Sequence, residues 1–307
     1  MNNHAQHLHD CAAVGGDCMH DNELLREPMP MPNPLFPIKV HACSTEGIGT
    51  LLFPAHWHAH VEILCVMDGE ADITCGTETL RAASGDLIVV NSNELHYGIS
   101  RSERLFYYAV IFDLTLLDSR TLDDVQTKYV TPIARNMTLF RNLIEQDESL
   151  RACMLELIEE LRGQAFGYEL AVKSRLYAFF CALLRSHVST ILTPEDSASR
   201  VTALERLEPA LTLIERRYRD KLTVDRLARE TGLSRYHFSR LFKQLTGRTI
   251  TEYINRIRID HAEYLLYNSP MTVSEIALQT GYSDIYYFSR TFKRYKGAPP
   301  SALRSLN

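Results

Sequence analysis

Three histidines and one glutamate in the first third of the chain have the residue types of a ligand-binding cluster. His56, His58, His60 and Glu62 share the parity of a β-strand, so they can point together into one interior, and His96 follows later. Imidazole and carboxylate groups bind divalent metals, and they also hydrogen-bond polar molecules. Three interpretations stay open: a self-satisfied polar cluster, a pocket for a polar effector such as a sugar, and a metal site. The set of His56, His58, Glu62 and His96, to which these interpretations apply, is called the histidine cluster below.

A second group of side chains, near the C-terminus, is suited to binding nucleic acid. Hydroxyl, aromatic and basic residues form a stripe that occurs twice with the same spacing. We predict base-reading roles for Tyr236, Ser239, Arg240, Ile285, Tyr286, Ser289 and Arg290, and phosphate contacts for Arg235, Lys243 and Lys293. An arginine that pairs with guanine discriminates between bases by about 1–3 kcal/mol. The alternative interpretation is an ordinary solvated helix face.

Both stripes lie inside a pattern that the C-terminal third of the chain contains twice, at 222–245 and 271–295. In each copy a threonine caps a short helix, a glycine ends that helix in a left-handed conformation, and a serine caps the next helix. These residues are Thr223, Gly232 and Ser234 in the first copy, and Thr272, Gly281 and Ser283 in the second. Two helices joined by a short turn predict a helix-turn-helix unit, so the chain should contain two such units.

The second helix of each unit has an apolar face opposite its polar stripe. The inward positions are Phe238, Leu241, Phe242 and Leu245 in the first unit, and Phe288, Thr291, Phe292 and Tyr295 in the second. Their spacing of three and four residues predicts that they are buried behind the stripe. Between the units, residues 255–267 are predicted to form one connecting helix.

The run from Gly281 to Pro300, which contains Gly-Tyr-Ser-Asp, Tyr-Phe-Ser-Arg and Phe-Lys-Arg, resembles the DNA-binding region of AraC-type transcription regulators. The resemblance covers residues 204–306 closely and most of the remaining chain more loosely. It implies that two helix-turn-helix units, joined by one long helix, read successive major grooves on one face of double-stranded DNA. It also implies a homodimer, contact with RNA polymerase, and an N-terminal domain that senses a small molecule.

Residues 38–114 contain short β-like runs separated by turn residues, which predicts a small antiparallel barrel. Two fragments, Gly49 to Gly69 and Gly85 to His96, resemble the cupin pattern. That resemblance implies one divalent metal bound by the histidine cluster. The sequence departs from the pattern at Asn91 and Asn93, where proline and glycine are usual, and at Ser100, where asparagine is usual.

The charge distribution divides the chain into an acidic part and a basic part. The 307 residues carry a formal net charge of −5, yet basic residues outnumber acidic ones after residue 204. A basic module attached to an acidic one suits a DNA-binding protein whose other domain must not adhere to phosphate. The seven cysteines have neither disulfide-framework nor zinc-ribbon spacing, and no run reaches the roughly eighteen apolar residues of a membrane span. We therefore expect a cytoplasmic protein with no membrane partner.

The remaining segments complete the predicted architecture. Residues 1–37 are polar and then proline-rich, which predicts a mobile arm. Residues 115–188 indicate helices, and their apolar stripe is wide enough both to cover the barrel and to meet a second subunit. Residues 189–203 have the composition of a linker, and 204–307 form the DNA-binding domain. The predicted fold class is α+β and multidomain: an antiparallel cupin-like barrel, following helices, and an all-α domain with two helix-turn-helix units.

These observations predict a sequence-specific DNA-binding regulator and not an enzyme. In this interpretation it is an activator that responds to a small polar effector in the barrel. No cofactor is required, although the barrel offers a site for a divalent metal. Two alternatives stay open. One is a cupin enzyme with a DNA-binding tail, using iron, manganese or nickel. The other is a constitutive DNA-binding protein whose barrel serves only for dimerisation or partner contacts.

Overall fold

The computed structural model describes residues 25–119 and 123–304. An N-terminal barrel is followed by a helical layer and then by an all-helical domain, which confirms the predicted fold class. The barrel strands are β1 (Ile38–Glu46), β2 (Leu51–His56), β3 (Val61–Asp68), β4 (Glu70–Cys75), β5 (Glu78–Ala83), β6 (Leu87–Val90), β7 (His96–Ser100) and β8 (Arg104–Phe112).

Two antiparallel sheets face each other across the barrel. One has the strand order β1-β8-β3-β6 and the other β2-β7-β4-β5. Strand β3 is buried on both sides: Leu64 and Val66 face the space between the sheets, whereas Ile63 and Cys65 face the helical layer. Because side chains alternate along a strand, Glu62 points to the same side as Leu64, into the barrel.

The helical layer covers the outer face of the sheet that contains β3. Its elements are a 3-10 helix (Leu114–Leu117), a π-helix (Gln126–Val130), α1 (Thr131–Ala134), β9 (Thr138–Phe140), β10 (Leu143–Ile144), α2 (Glu148–Gly163) and α3 (Tyr168–Ser186). Strand β10 extends that sheet by pairing with β6. The apolar stripe of α3 runs from Val172 to Leu183 and lies in the same core as Ile63 and Phe112. Since this stripe packs within the subunit, it is not the surface that could meet a second subunit.

The C-terminal domain contains both predicted helix-turn-helix units. Its helices are α4 (Pro194–Arg217), α5 (Val224–Glu230), α6 (Arg235–Thr246), α7 (Ile250–Asn268), α8 (Val273–Gln279), α9 (Ile285–Lys296) and α10 (Pro300–Arg304). Helices α5 and α6 form the first unit, and α8 and α9 form the second. The predicted connecting helix is α7, which belongs to two cores: Ile254 packs with the first unit, and Ile259 and Leu266 pack with the second.

The second unit differs from its prediction at the cap of its recognition helix. Ser234 caps α6 by accepting a hydrogen bond from the His237 amide, as expected. Ser283 does not cap α9; Asp284 does, accepting from the Tyr286 and Tyr287 amides. The reason is the one residue that the second copy gains after Ser283, which moves the start of the helix forward.

The predicted linker of residues 189–203 is wrong as a description of local structure. Its first part belongs to β11 (Val188–Ile191), which pairs with β9. Its second part is the beginning of α4, where Thr193 accepts a hydrogen bond from the Asp196 amide and Pro194 occupies the first turn. Proline in a first turn and threonine at an N-cap are helix-start signals as well as loop residues.

The predicted mobile arm is only partly open to comparison, because residues 1–24 lie outside the described residues. Residues 25–37 form no helix or extended strand, but two of their side chains are packed in hydrophobic cores. Leu25 is buried with Trp57 in the core of the first helix-turn-helix unit, and Phe36 is buried in the core of the helical layer. Two apolar anchors among the prolines therefore fix this part of the segment to both domains.

Candidate functional site

Helix α6 presents its predicted stripe to solvent. Phe238 and Phe242 are fully buried, whereas Tyr236 is 71% exposed. Arg240 and Lys243 are also exposed, and Ser239 is half-buried between the two faces. The stripe of Tyr236, Ser239, Arg240 and Lys243, called the first ridge below, is thus a polar surface held from behind by aromatic packing.

Helix α9 repeats this arrangement. Phe288 and Phe292 are fully buried, and Tyr286 is 79% exposed. Arg290 and Lys293 are exposed as well. The second ridge consists of Tyr286, Ser289, Arg290 and Lys293, and the half-buried Ile285 lies at its N-terminal end. The two units therefore offer the same set of side chains in the same orientation relative to their own cores.

Arg235, predicted to hold phosphate, lies at the N-terminus of α6 and forms an ion pair with Asp225. The Arg235 Nη1 to Asp225 Oδ2 distance is 3.4 Å, and the two side chains are 69% and 58% exposed. An ion pair this exposed contributes little free energy, so it would not prevent Arg235 from turning to a phosphate. Its phosphate contact stays a prediction.

A buried ion-pair network behind the second ridge was not predicted from the sequence. The Lys296 Nζ atom lies 2.7 Å from Asp260 Oδ1 and 2.6 Å from Glu263 Oε2. Arg256 Nε lies 2.9 Å from the other Asp260 oxygen. Although burial opposes ionisation, Lys296 and Arg256 hold the pKa of Asp260 below its usual value. Arg101, from the end of β7, also contacts Glu263, so the network joins α9, α7 and the barrel.

The structure brings all four residues of the histidine cluster together inside the barrel. Their candidate ligand atoms all lie within 4.8 Å of one another, and all four residues are buried. Glu62 Oε2 lies 3.1 Å from His58 Nε2 and 3.2 Å from His96 Nε2. The rings of His56 and His96 are 4.1 Å apart between centroids. His56 ends β2, Glu62 lies near the start of β3 and His96 begins β7, so three neighbouring strand ends position the cluster.

Each of the three imidazoles is oriented by a backbone carbonyl. Nδ1 of His56 lies 2.8 Å from the Pro54 carbonyl oxygen. Nδ1 of His58 lies 3.1 Å from the carbonyl of His60, and Nδ1 of His96 lies 2.8 Å from that of Glu94. A carbonyl oxygen only accepts hydrogen bonds, so each Nδ1 carries the proton and donates it. Each Nε2 is therefore the atom that faces the cluster.

Two groups of the cluster, Glu62 and His96, have lowered pKa values. Burial opposes the ionisation of Glu62, yet its contacts with His58 and His96 bring the pKa of that carboxyl well below its usual value. Burial, together with the neighbouring His56, lowers the pKa of His96 to about 4. At neutral pH the cluster thus contains an anionic carboxylate next to a neutral imidazole.

His60 does not join the cluster, contrary to the strand-parity argument. Its Nε2 lies 3.8 Å from Asp113 Oδ2, on another side. The physical reason is that β2 ends at His56 and β3 begins at Val61, so parity does not extend through the residues between them. Sequence reasoning also missed Glu27, whose Oε2 lies 3.0 Å from His56 Nε2. Glu27 is distant in sequence and lies in the segment predicted to be a mobile arm.

A small apolar cavity lies between the two sheets. The cavity there is about 10 Å³ and is lined by Leu52, Leu64, Val66, Ala71, Ile73, Leu105 and Tyr107. This volume holds roughly one water molecule. A sugar bound in this apolar cavity would therefore require the sheets to separate.

The structure combines two helix-turn-helix units, each with a basic ridge, and a barrel with a buried polar cluster. This combination is that of a double helix-turn-helix DNA-binding protein with a ligand-binding domain. Comparison with known families agrees. The sequence model of an AraC-like ligand binding domain matches residues 42–180, and that of a helix-turn-helix domain matches residues 227–305. The chain belongs to the AraC family of DNA-binding transcription regulators.

Individual relatives resemble the chain over most of its length. The Msm operon regulatory protein of Streptococcus mutans is 25% identical over 243 residues, covering 78% of this chain and 82% of that protein. The transcriptional activator RhaR of Escherichia coli is 25% identical over 264 residues, covering 83% of this chain and 88% of RhaR. Among solved structures, ToxT from Vibrio cholerae is 17% identical with a TM-score of 0.40, covering 88% of this chain and 98% of ToxT. In the described part of this chain, no helix has the length and apolar character needed to cross a membrane.

Proposed function

We propose that the chain regulates transcription by inserting its two ridges into successive major grooves on one face of double-stranded DNA. The observation that carries this proposal is the pair of exposed arginines, Arg240 and Arg290, each opposite a fully buried phenylalanine pair. The 19 residues of α7 span about 28 Å. That length is comparable to one turn of DNA, about 34 Å, which separates equivalent groove positions.

The barrel, in this proposal, senses a small effector at the histidine cluster and passes its occupancy to the DNA-binding domain. The segment beside the cluster supports this role. Glu27 contacts His56, and the neighbouring Arg26 amide donates a hydrogen bond to Glu208 of α4 at 3.0 Å. An effector acts on DNA binding only if it binds two states of the protein unequally, and this contact is a place where two states can differ.

We further infer that the protein is a transcriptional activator, as RhaR is named, and that it contacts RNA polymerase. In this proposal it is a homodimer in the cytoplasm, and it is not an enzyme. Exposed apolar side chains support a subunit contact on the helical layer. Phe166 is wholly exposed, Leu170 is 75% exposed and Tyr177 is 42% exposed. Leu170 and Tyr177 are seven residues apart on α3, which places them on one face of that helix, and exposed apolar side chains that form a patch often mark a protein–protein contact.

The test is binding to DNA duplexes selected from a randomised pool, followed by affinity measurement against single-base variants. Arg240→Ala and Arg290→Ala should each lower discrimination at a different position, by about 1–3 kcal/mol for an arginine–guanine pair. Arg185→Ala, which removes an exposed arginine of α3 far along the chain from both ridges, is the matched control and should leave the selected sequence unchanged. Identical base preferences in the unmodified chain and all three variants would show that neither Arg240 nor Arg290 reads bases.

A further inference from the structure

We propose that the histidine cluster binds one divalent transition-metal ion through the Nε2 atoms of His56, His58 and His96 and a carboxylate oxygen of Glu62. The inference deepens the proposed function, because it names the chemical class of species bound at the site assigned there to the effector. Three observations support it: the orientation of the imidazoles, the contacts between their inner nitrogens and Glu62, and the size of the site.

The orientation of the imidazoles leaves three lone pairs pointing inward. Because each Nδ1 donates its proton to a backbone carbonyl, a neutral ring has its lone pair on Nε2. Histidines that bind metals in proteins have this arrangement, with the outer nitrogen fixed by a carbonyl or carboxylate and the inner nitrogen directed at the ion. Three separate carbonyl oxygens, those of Pro54, His60 and Glu94, fix the three rings in this way.

The inner atoms of the cluster are hydrogen-bond acceptors that face one another. Glu62 Oε2 lies 3.1 Å from His58 Nε2 and 3.2 Å from His96 Nε2. A carboxylate oxygen and an unprotonated imidazole nitrogen both accept, so neither contact is favourable unless a cation lies between the atoms. A proton satisfies one such contact at a time. A divalent ion satisfies all of them together and also compensates the buried negative charge of Glu62.

The dimensions and the donor set suit a transition metal. An ion with ligands at about 2.0–2.2 Å places ligand atoms no more than roughly 4.4 Å apart. The four ligand atoms lie within 4.8 Å of one another, so a small inward movement is enough. Three imidazoles and one carboxylate favour zinc, iron or nickel over magnesium or calcium, which prefer sites made of oxygen ligands.

Glu27 gives the site a direct connection to the DNA-binding domain. Its Oε2 now lies 3.0 Å from His56 Nε2, which is the nitrogen that the ion requires. An ion bound there replaces this contact and releases Glu27. The adjacent Arg26 is bonded through its amide to Glu208 of α4, so occupancy of the site reaches that helix within two residues.

The experiment is a titration of the full chain with Zn²⁺, after removal of bound metal with a chelator, in competition with a chromophoric chelator of known affinity. The unmodified chain should bind one Zn²⁺ more per chain than Glu62→Gln or His58→Ala. In these variants the affinity at the cluster should fall by about 100-fold or more. Co²⁺ should give the unmodified chain visible absorption bands that both variants lack.

The matched control is His60→Ala, which removes a neighbouring imidazole that faces Asp113 instead of the cluster. It should bind Zn²⁺ like the unmodified chain. The histidines and cysteines of residues 1–24 are unchanged in every variant, so any ion they bind cancels in the comparison. Circular dichroism verifies that Glu62→Gln, which keeps the shape of the side chain, remains folded.

Equal Zn²⁺ stoichiometry and affinity in the unmodified chain and in folded Glu62→Gln would overturn the inference. DNA binding is measured separately, so a chain that binds selected DNA but no ion at the cluster refutes the metal site alone. A chain that binds the ion but shows no base preference refutes the proposed function alone.

A second variant tests the ligand set itself. Glu27 occupies His56 Nε2 but does not belong to the group of four converging ligands. Glu27→Gln should therefore bind Zn²⁺ at least as tightly as the unmodified chain, since a competing carboxylate is removed. A loss of affinity as large as that of His58→Ala would contradict the four-ligand set.

Discussion

Two lysines lie one turn apart on α9 and have the same residue type, but they differ in burial and therefore in the role that we expect for each. Lys293 is exposed on the second ridge, whereas the side chain of Lys296 is only 7% exposed and lies between Asp260 and Glu263. In the sequence both belong to the same basic run. Only the three-dimensional arrangement separates a lysine that is exposed for the proposed phosphate contact from one that lies in a buried ion-pair network.

We therefore expect opposite effects from removing each lysine. Lys293→Ala should weaken binding to all DNA sequences equally, lower the slope of log affinity against log salt by about 1, and leave stability unchanged. Lys296→Ala should lower the free energy of unfolding by roughly 1.5–3 kcal/mol, because two buried charged hydrogen bonds are lost while Asp260 and Glu263 each keep one arginine partner. Fluorescence anisotropy at several salt concentrations and urea denaturation measure the two effects. Equal losses of stability would contradict the assignment.

The histidine cluster was predictable only in part. Parity along the sequence places His56, His58 and Glu62 together, and the structure confirms that these three converge with His96. The same rule fails for His60, whose ring lies near Asp113. His58 lies in the same break between β2 and β3, so its convergence does not follow from strand parity alone. Glu27 gave no signal at all, since its contact with the cluster depends on how an irregular segment folds back over the barrel.

At the scale of elements, the two helix-turn-helix units were predictable because their signals are local. Caps, left-handed glycines and apolar spacing of three and four residues lie within single turns of helix, and both units match them except at Ser283, whose predicted capping role belongs to Asp284. The segment of residues 189–203 was not predictable from composition. Threonine and proline both end and begin helices, and the apolar partners that decide between these options lie elsewhere in the chain.

The turn glycines of the two units have the same sequence position but different surroundings. Gly232 has φ of +66° and open space where a Cβ would lie. Gly281 has φ of +89°, and a Cβ there would come 2.5 Å from the carbonyl oxygen of Arg219. The repeat therefore preserves the backbone conformation while one copy alone is packed against a neighbouring segment.

Replacement of each glycine by alanine should separate the energetic cost of the left-handed conformation from the cost of the contact with Arg219. Gly232→Ala should cost about 1–2 kcal/mol, the penalty of a left-handed residue with a Cβ. Gly281→Ala should cost clearly more, because backbone at Arg219 must also move. Thermal unfolding of both variants provides the comparison, and equal shifts of Tm would show that the contact with Arg219 is readily relieved.

At the scale of the whole molecule, Arg101 joins the barrel to the DNA-binding domain. Its Nε lies 2.7 Å from Asp72 Oδ2 of β4, its Nη1 contacts Glu263 of α7, and its side chain is 9% exposed. Arg81 pairs with the other oxygen of Asp72 at 2.8 Å but is 57% exposed. The two arginines share one carboxylate and differ chiefly in burial, which makes them a natural pair for comparison.

Arg101→Ala should lower the free energy of unfolding by about 1.5–3 kcal/mol, since buried charged hydrogen bonds are lost while Asp72 and Glu263 each keep one other partner. Arg81→Ala should change it by less than about 1 kcal/mol, as expected for an exposed ion pair. Urea denaturation of both variants measures the difference. Indistinguishable midpoints would mean that the domain contact contributes nothing to stability.

The barrel contacts the domain at both ends of the connecting helix. Near the start of α7, Arg248 Nη2 lies 3.3 Å from the Thr79 hydroxyl of β5, and near its end the Asn268 amide donates to the Ile48 carbonyl at 3.3 Å. The barrel thus contacts both ends of α7, the helix that sets the distance between the two helix-turn-helix units. In the proposed function, a signal that reshapes the barrel is therefore expected to act on both helix-turn-helix units and not on one alone.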